Sequence, residues 1–429
     1  MTTSFLRRTL LLLFIALFAV LAIGQALVER WRRQSSGKPR LFFGSVPIIN
    51  NRYWALAMQR AGYVSETFVT HYYSSINKRE DWGRLLSEEY ARWPQSFHPY
   101  LGFLDALRKY DVFFISCQGV FVGATPLKRM QAWILKLAKK KTVVLPYGAD
   151  SYVYRSVRST SLMHGLLSSY PEPARKQAQL AEQVEYWVAN ADAFIPGFMG
   201  ADGFGRWDVL IPSHLFIDAS QWRAKERANL ADGRNGTVTI CHAPNHRGFK
   251  GTEFVLDAVD RLRAEGLQIE LRLIEKMQNA EVRRVLAEEA DILVEQLIFA
   301  GHGLNGLEGM ACGLPVVSNL DDEAYIAPMR RWSYLGECPI VSATPENLVD
   351  VLRRLVMRPE LRKQLGDASR QYVEKYHDLD SAAFLFEEVI EYVYGRRSSL
   401  INLYHPLLGE YPRRRPRIEH PLVNNRIVD

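Results

Sequence analysis

Gly301-His302-Gly303-Leu304-Asn305-Gly306-Leu307-Glu308-Gly309-Met310-Ala311-Cys312-Gly313-Leu314-Pro315-Val316-Val317 is the stretch whose reading decides the fold. Its glycines between Gly301 and Gly309 describe a backbone that something else approaches closely. Leu307 to Cys312 reads as a short helix, stopped by Gly313 and Pro315. Val316-Val317 then starts a buried strand. A glycine-rich loop that opens into a helix presents free N–H groups and a positive dipole end, which suits a phosphate-bearing ligand. Glu308 is expected in the first turn of that helix, where a carboxylate accepts two hydrogen bonds from a sugar diol.

Working outward, the chain alternates short apolar runs with helical periods. Arg40–Gly44, Asp111–Ser116, Thr142–Pro146 and Ala189–Pro196 read as strands of a first doubly wound domain. Thr237–Cys241, Gln268–Ile274 and Ile292–Glu295 read as strands of a second, separated by the helices Phe254–Ala264 and Ala280–Glu289. Elements of this length in this order imply an α/β chain with parallel sheets and ligands at the strand carboxyl ends. Pro345–Met357, Pro359–Tyr376 and Ser381–Tyr394 are expected as closing helices.

His242-Ala243-Pro244-Asn245-His246-Arg247-Gly248-Phe249-Lys250-Gly251-Thr252 follows a strand and precedes a helix. It therefore lies on the same rim as the Glu308 loop. Taken together, the two loops resemble the nucleotide-sugar site of retaining GT-B glycosyltransferases, above all family 4 (glycosyl transferases group 1). Met310 to Val317 matches the family pattern almost letter for letter, and Glu308 matches its second Glu, the one that binds the donor ribose. The first Glu of the Glu-x7-Glu motif falls on Ala300, as in a bacterial branch that shares the Val294-Glu295-Gln296-Leu297 type of run. Lys250-Gly251 aligns with the family's Lys-Gly, whose cation neutralises the donor diphosphate. The family's Arg falls on Asn245, and Arg247 takes its place by proximity and charge.

This resemblance implies a GT-B fold, two Rossmann-like domains facing a cleft. It also implies a glycosyltransferase that moves a sugar from a nucleotide sugar to a cell-surface glycan or lipid-linked acceptor, with retention. Donor contacts would come from Asn245, Arg247, Lys250, Gly303, Leu304, Asn305 and Glu308. Cofactor and metal are not implied, because these side chains stand where other transferases use an ion. Three residues are candidates for chemistry. Asp150 either holds a substrate hydroxyl or caps the next helix. His302 either contacts the donor or is a satisfied core histidine. Glu295 either substitutes for the missing Glu or is structural. Two rival readings are a nucleotide-sugar epimerase of the same fold and a catalytically silent scaffold.

Charge is uneven. Seven basic residues stand against Glu29 in 1–40, and seven Arg against three acids in 394–429, while the whole chain carries +7. An excess confined to the two ends points to a membrane surface and away from nucleic acid. Thr9 to Val28 holds no charge and spans about 30 Å as a helix, enough to cross a bilayer. Arg30, Arg32, Arg33, Lys38 and Arg40 follow it, which predicts a single-pass anchor with the body on the cytoplasmic face of the inner membrane. A cleaved signal peptide is the alternative. Four scattered cysteines fit a reducing compartment.

The expected organisation is therefore an anchor and linker over 1–39 and an acceptor domain over 40–215. A nucleotide-sugar domain follows over 216–380, then a helix crossing back over 381–394 and a basic tail over 395–429. The tail is expected either to be solvated or to touch lipid head groups.

Overall fold

The computed structural model describes all residues except 1, 33–36, 75, 203, 227 and 429, and gives the backbone alone for 2–12 and 200–202. Arg33 of the basic flank thus lies outside the described residues, as do the side chains of Arg7 and Arg8. The chain divides into two compact units, the first made of Met1–Ser151, Gln179–Ile195 and Leu385–Ser398, the second of Tyr152–Ala178, Pro196–Phe384 and Ser399–Asp429.

The first unit is built on six strands: β1 (Leu41–Ser45), β2 (Ser65–Val69), β3 (Arg84–Leu85), β4 (Val112–Ile115), β5 (Lys141–Val144) and β6 (Ala193–Phe194). They lie in the order β3-β2-β1-β4-β5-β6, all parallel. The continuous apolar runs in β1 and β4 are explained by burial on both sheet faces. Phe43 stacks on Phe114 with ring centroids 4.5 Å apart, and Phe386 from the late helix Leu379–Val393 closes edge-on over both.

The N-terminal helix runs from Thr2 to Trp31 and packs along this unit. Phe14 meets Phe97 and Tyr100, Phe18 meets Tyr100 and Phe103, and Ala22 and Ala26 are fully buried. At its end an ion-pair chain, buried at Glu29 and Lys140, runs from Glu29 to Lys140 (3.3 Å), Asp111 (3.2 Å) and Arg40 (2.9 Å).

The second unit holds β7 (Val238–His242), β8 (Ile269–Leu273), β9 (Ile292–Gln296), β10 (Val316–Ser318) and β11 (Val341–Ser342). Their order is β11-β10-β9-β7-β8, again all parallel. Val238, Ile240, Val255, Val259, Val294, Val317 and Leu352 form its core. Reading along the sheet, the strand order reverses between β7 and β9, the position at which open parallel sheets bind ligands at their carboxyl ends.

Several expectations need correction. The segment Tyr152–Ala178 and the stretch from Pro196 to 215 pack with the second unit, so the first does not run unbroken over 40–215. Nor is the tail a solvated one. Tyr404 and Tyr411 join the buried ring cluster of Tyr334 and Tyr376, and the Asn425 amide donates to the carbonyls of Cys338 (2.8 Å) and Ile340 (3.1 Å). A closing hairpin, β12 (Leu422–Val423) and β13 (Arg426–Ile427), follows. Arg413, Arg414, Arg415 and Arg417 stay outside, while Leu400, Leu403, Tyr404, Tyr411 and Asn425 do the packing.

Candidate functional site

Lys250 follows β7, and Glu295 and Gln296 end β9, so the sheet's reversal point brings them together. The Lys250 ammonium lies 2.5 Å from Glu295 Oε1 and 2.7 Å from Gln296 Oε1, and all three side chains are buried. Glu295 Oε2 accepts from the Gly303 N–H at 3.1 Å. The Ser318 hydroxyl is within reach of the same oxygen (3.2 Å) and of the Gly301 carbonyl (2.6 Å). One carboxylate thus ties the loop after β7, the glycine loop and β10 into a single cluster.

The helix of the organising stretch is Leu304–Ala311. It begins three residues before Leu307, which puts Glu308 in the second turn and corrects its expected place in the first. Gly303 precedes it in extended geometry without a side-chain cap, leaving the first-turn N–H groups for other acceptors. Two glycines are dictated by contact: Gly301 has φ +122° with Phe198 pressed against it, and a Cβ on Gly309 would lie 2.3 Å from the Leu293 side chain.

Around this loop polar atoms are buried without partners. Gln296 Nε2, both ring nitrogens of His302 and Asn305 Oδ1 find no hydrogen bond among the described residues. Glu308 is contacted by the Asn305 amide at 3.4 Å. Burial pushes the Glu308 carboxyl up to about 7, with Asn305 and the charge of Arg283 opposing. Burial likewise lowers His302 to about 4, so its ring is neutral where it packs edge-on against Phe198 and His377. Native interiors satisfy nearly all such groups; here His302 and Asn305 lie on the loop and Gln296 at the end of β9 beside it.

The other candidates fall elsewhere. Arg247 forks onto Glu275 at 2.8 and 2.6 Å in solvent, and Asn245 is exposed. Neither joins the buried cluster. His242 is wholly buried and bridges the Val294 carbonyl (2.8 Å) and the Thr252 hydroxyl (2.9 Å), which locks β7 to β9; burial holds it neutral, down at about 4. Asp150, in the first unit, accepts from the N–H groups of Cys117 (2.8 Å), Tyr147 (2.9 Å) and Gly148 (3.1 Å). Both of its oxygens accept from backbone, which makes it a clamp on its loop.

Sequence reasoning missed Gln296, Ser318 and Ser169. The first two adjoin residues already singled out, Glu295 and Val316-Val317. Ser169 ends the helix Thr160–Ser169, and its hydroxyl accepts from the Phe249 N–H at 2.9 Å. It thereby occupies one of the free donors at the start of the helix Arg247–Lys250, and no local signal announced it.

The sequence matches no family model and no curated protein. Solved structures do resemble the fold. Sucrose-phosphate synthase from Thermosynechococcus elongatus aligns over 84% of this chain and 100% of its own, with a TM-score of 0.55 and 13% identity. An alpha-glucosyltransferase solved with UDP and a 13-mer DNA containing an A:G mismatch aligns over 83% and 100%, with a TM-score of 0.52 and 12% identity. At this identity the likeness speaks for architecture: the chain has the GT-B fold, two Rossmann-like units with parallel sheets.

Proposed function

We propose that this chain is a nucleotide-sugar-dependent glycosyltransferase acting, with retention, on a cell-surface glycan or lipid-linked acceptor. The observation that carries the reading is the set of unpartnered polar atoms on the Gly301–Glu308 loop, gathered at the reversal point of the second sheet. Glu308 would hold the donor ribose, with Asn305 beside it. Lys250 would exchange Glu295 for the donor diphosphate and stabilise the charge that develops there as the glycosidic bond breaks. Glu295, released from the ammonium, would accept a hydroxyl of the donor sugar in place of the carboxylate absent at Ala300. The departing diphosphate oxygen takes the acceptor's proton, so no separate base is required. Asn245 and Arg247 would guide the diphosphate from solvent, and the N-terminal helix would keep the chain at the cytoplasmic face of the inner membrane, where a lipid-linked acceptor is presented.

The test is a calorimetric titration with a panel of nucleoside diphosphates, followed by turnover of the matching nucleotide sugars with diphosphate release as readout. Lys250→Ala is expected to weaken diphosphate binding at least about tenfold, or ~1.4 kcal/mol. Affinity indifferent to Lys250 would sink the reading. Binding without turnover on any acceptor would leave a nucleotide-binding scaffold instead.

A further inference from the structure

The N-terminal helix is apolar all round from Thr9 to Val28, and only one side of it is packed against the protein. Phe14, Phe18, Ala22, Ala26 and Glu29 face the first unit. At 100° per residue, Leu13, Leu17, Val20, Leu21, Leu27 and Val28 gather on the other side, where Leu13, Val20 and Val28 are more than 60% exposed. A helix of a soluble domain turns polar residues outward, so this outer face calls for an apolar partner.

Two properties identify the partner as a bilayer. Trp31, 83% exposed, ends the face as an interfacial tryptophan does. Arg30, Arg32 and Lys139 surround that end, and Arg108 lines the same hollow as Leu27, Val28 and Trp31; such a collar complements anionic head groups. The docking also constrains the geometry. Phe14 to Glu29 is about 24 Å of helix held against the helices His98–Lys109 and Gln131–Leu137. Were the helix to cross a membrane while docked, the neighbouring helices, with Asp105 and Lys136 on them, would be carried toward hydrocarbon, a costly placement.

We propose that the helix stays docked and lies in the plane of the membrane. Its outer face sinks into one leaflet, and its cationic end meets anionic lipid, so that the first unit rests on the surface without the chain crossing it. This seat is independent of what the Gly301–Glu308 loop binds, because nucleotide titration and membrane partition are read separately.

The experiment uses the full chain and phosphatidylcholine vesicles with or without phosphatidylglycerol. The native cysteines are buried, so single cysteines at Leu13, Val20 and Leu27 can be labelled with a fluorophore and quenched by brominated acyl chains. One shared shallow depth is expected; depths graded from residue 13 to 27 would mean a crossing helix and overturn the proposal. Leu17→Glu combined with Leu21→Glu should lower partition into phosphatidylglycerol vesicles at least tenfold with an unchanged melting temperature. Partition that survives this double substitution, or that ignores phosphatidylglycerol, would also overturn it.

Discussion

Asp150, on a loop of the first unit, and Glu308, on a helix of the second, are both buried carboxylates that follow parallel strands, yet their surroundings are opposite. Asp150 is gripped by three backbone N–H groups, while Glu308 has a single long contact with Asn305 among the described residues. Burial raises both, to about 6 and about 7, and at Asp150 it does so against the pull of its donors. An acid held by several backbone donors holds a fold in place. One that is desolvated and left unsatisfied costs stability, and is retained where a ligand supplies the missing donors.

The sharpest way to break this contrast is to remove each group. Asp150→Ala would orphan three buried N–H groups and should cost about 4 kcal/mol or more of stability in denaturant unfolding, leaving nucleoside diphosphate affinity in the surviving folded protein unchanged. A near-neutral result would erase the distinction between the two acids. Glu308→Gln should have the opposite sign. The folded carboxyl sits at about 7 against an unfolded value near 4.5. The native state is therefore favoured while the acid holds its proton, and that advantage is lost as pH climbs from 4.5 through 7. The loss amounts to about 3 kcal/mol. Unfolding measured from pH 4 to pH 8 should show Glu308→Gln overtaking the parent as pH rises, and parallel curves would contradict the burial argument.

The same substitution should weaken nucleoside diphosphate binding about tenfold, ~1.4 kcal/mol, as calorimetry will report. A smaller effect is expected at Arg247, which is exposed and already paired with Glu275. Arg247→Ala should lower diphosphate affinity about threefold, well short of Lys250→Ala, with no measurable change in melting temperature. Equal losses at the two positions would place the exposed guanidinium inside the site after all.

What was legible in the sequence is what local pattern encodes. The apolar runs gave β1, β4, β5, β7, β8 and β9 to within a residue or two, while the mixed run of β2 went unread, and the polar matches at Lys250 and Glu308 pointed to one rim. The helix start slipped because Gly306 reads as loop, whereas in the structure it is simply a small residue beside Glu295. The remainder depends on partners far apart along the chain. Ser169 meets Phe249 across 80 residues, and Lys250 meets Glu295 across 45. Tyr411 packs on Tyr376 beneath an arginine-rich surface that sequence composition assigns to solvent. Asp150 was left open between two roles, since whether an acid caps or binds depends on which N–H groups the fold brings to it.

The crossing pattern of the chain has a consequence for its biogenesis. Unit boundaries fall at 151/152, 178/179, 195/196, 384/385 and 398/399, so the last piece of the first unit is translated some two hundred residues after the rest of it. At about 5–20 residues per second, Phe43, Trp54 and Phe114 wait roughly 15–70 s for Phe386, the ring that covers them. During that interval a nascent chain already displays its apolar amino-terminal helix. A ribosome halted at residue 195, or a gene cut there to express the first unit alone, would release a sheet with an open aromatic face, a substrate for chaperones and aggregation. Dissecting this protein into separate halves therefore means splicing 385–398 back onto the first one.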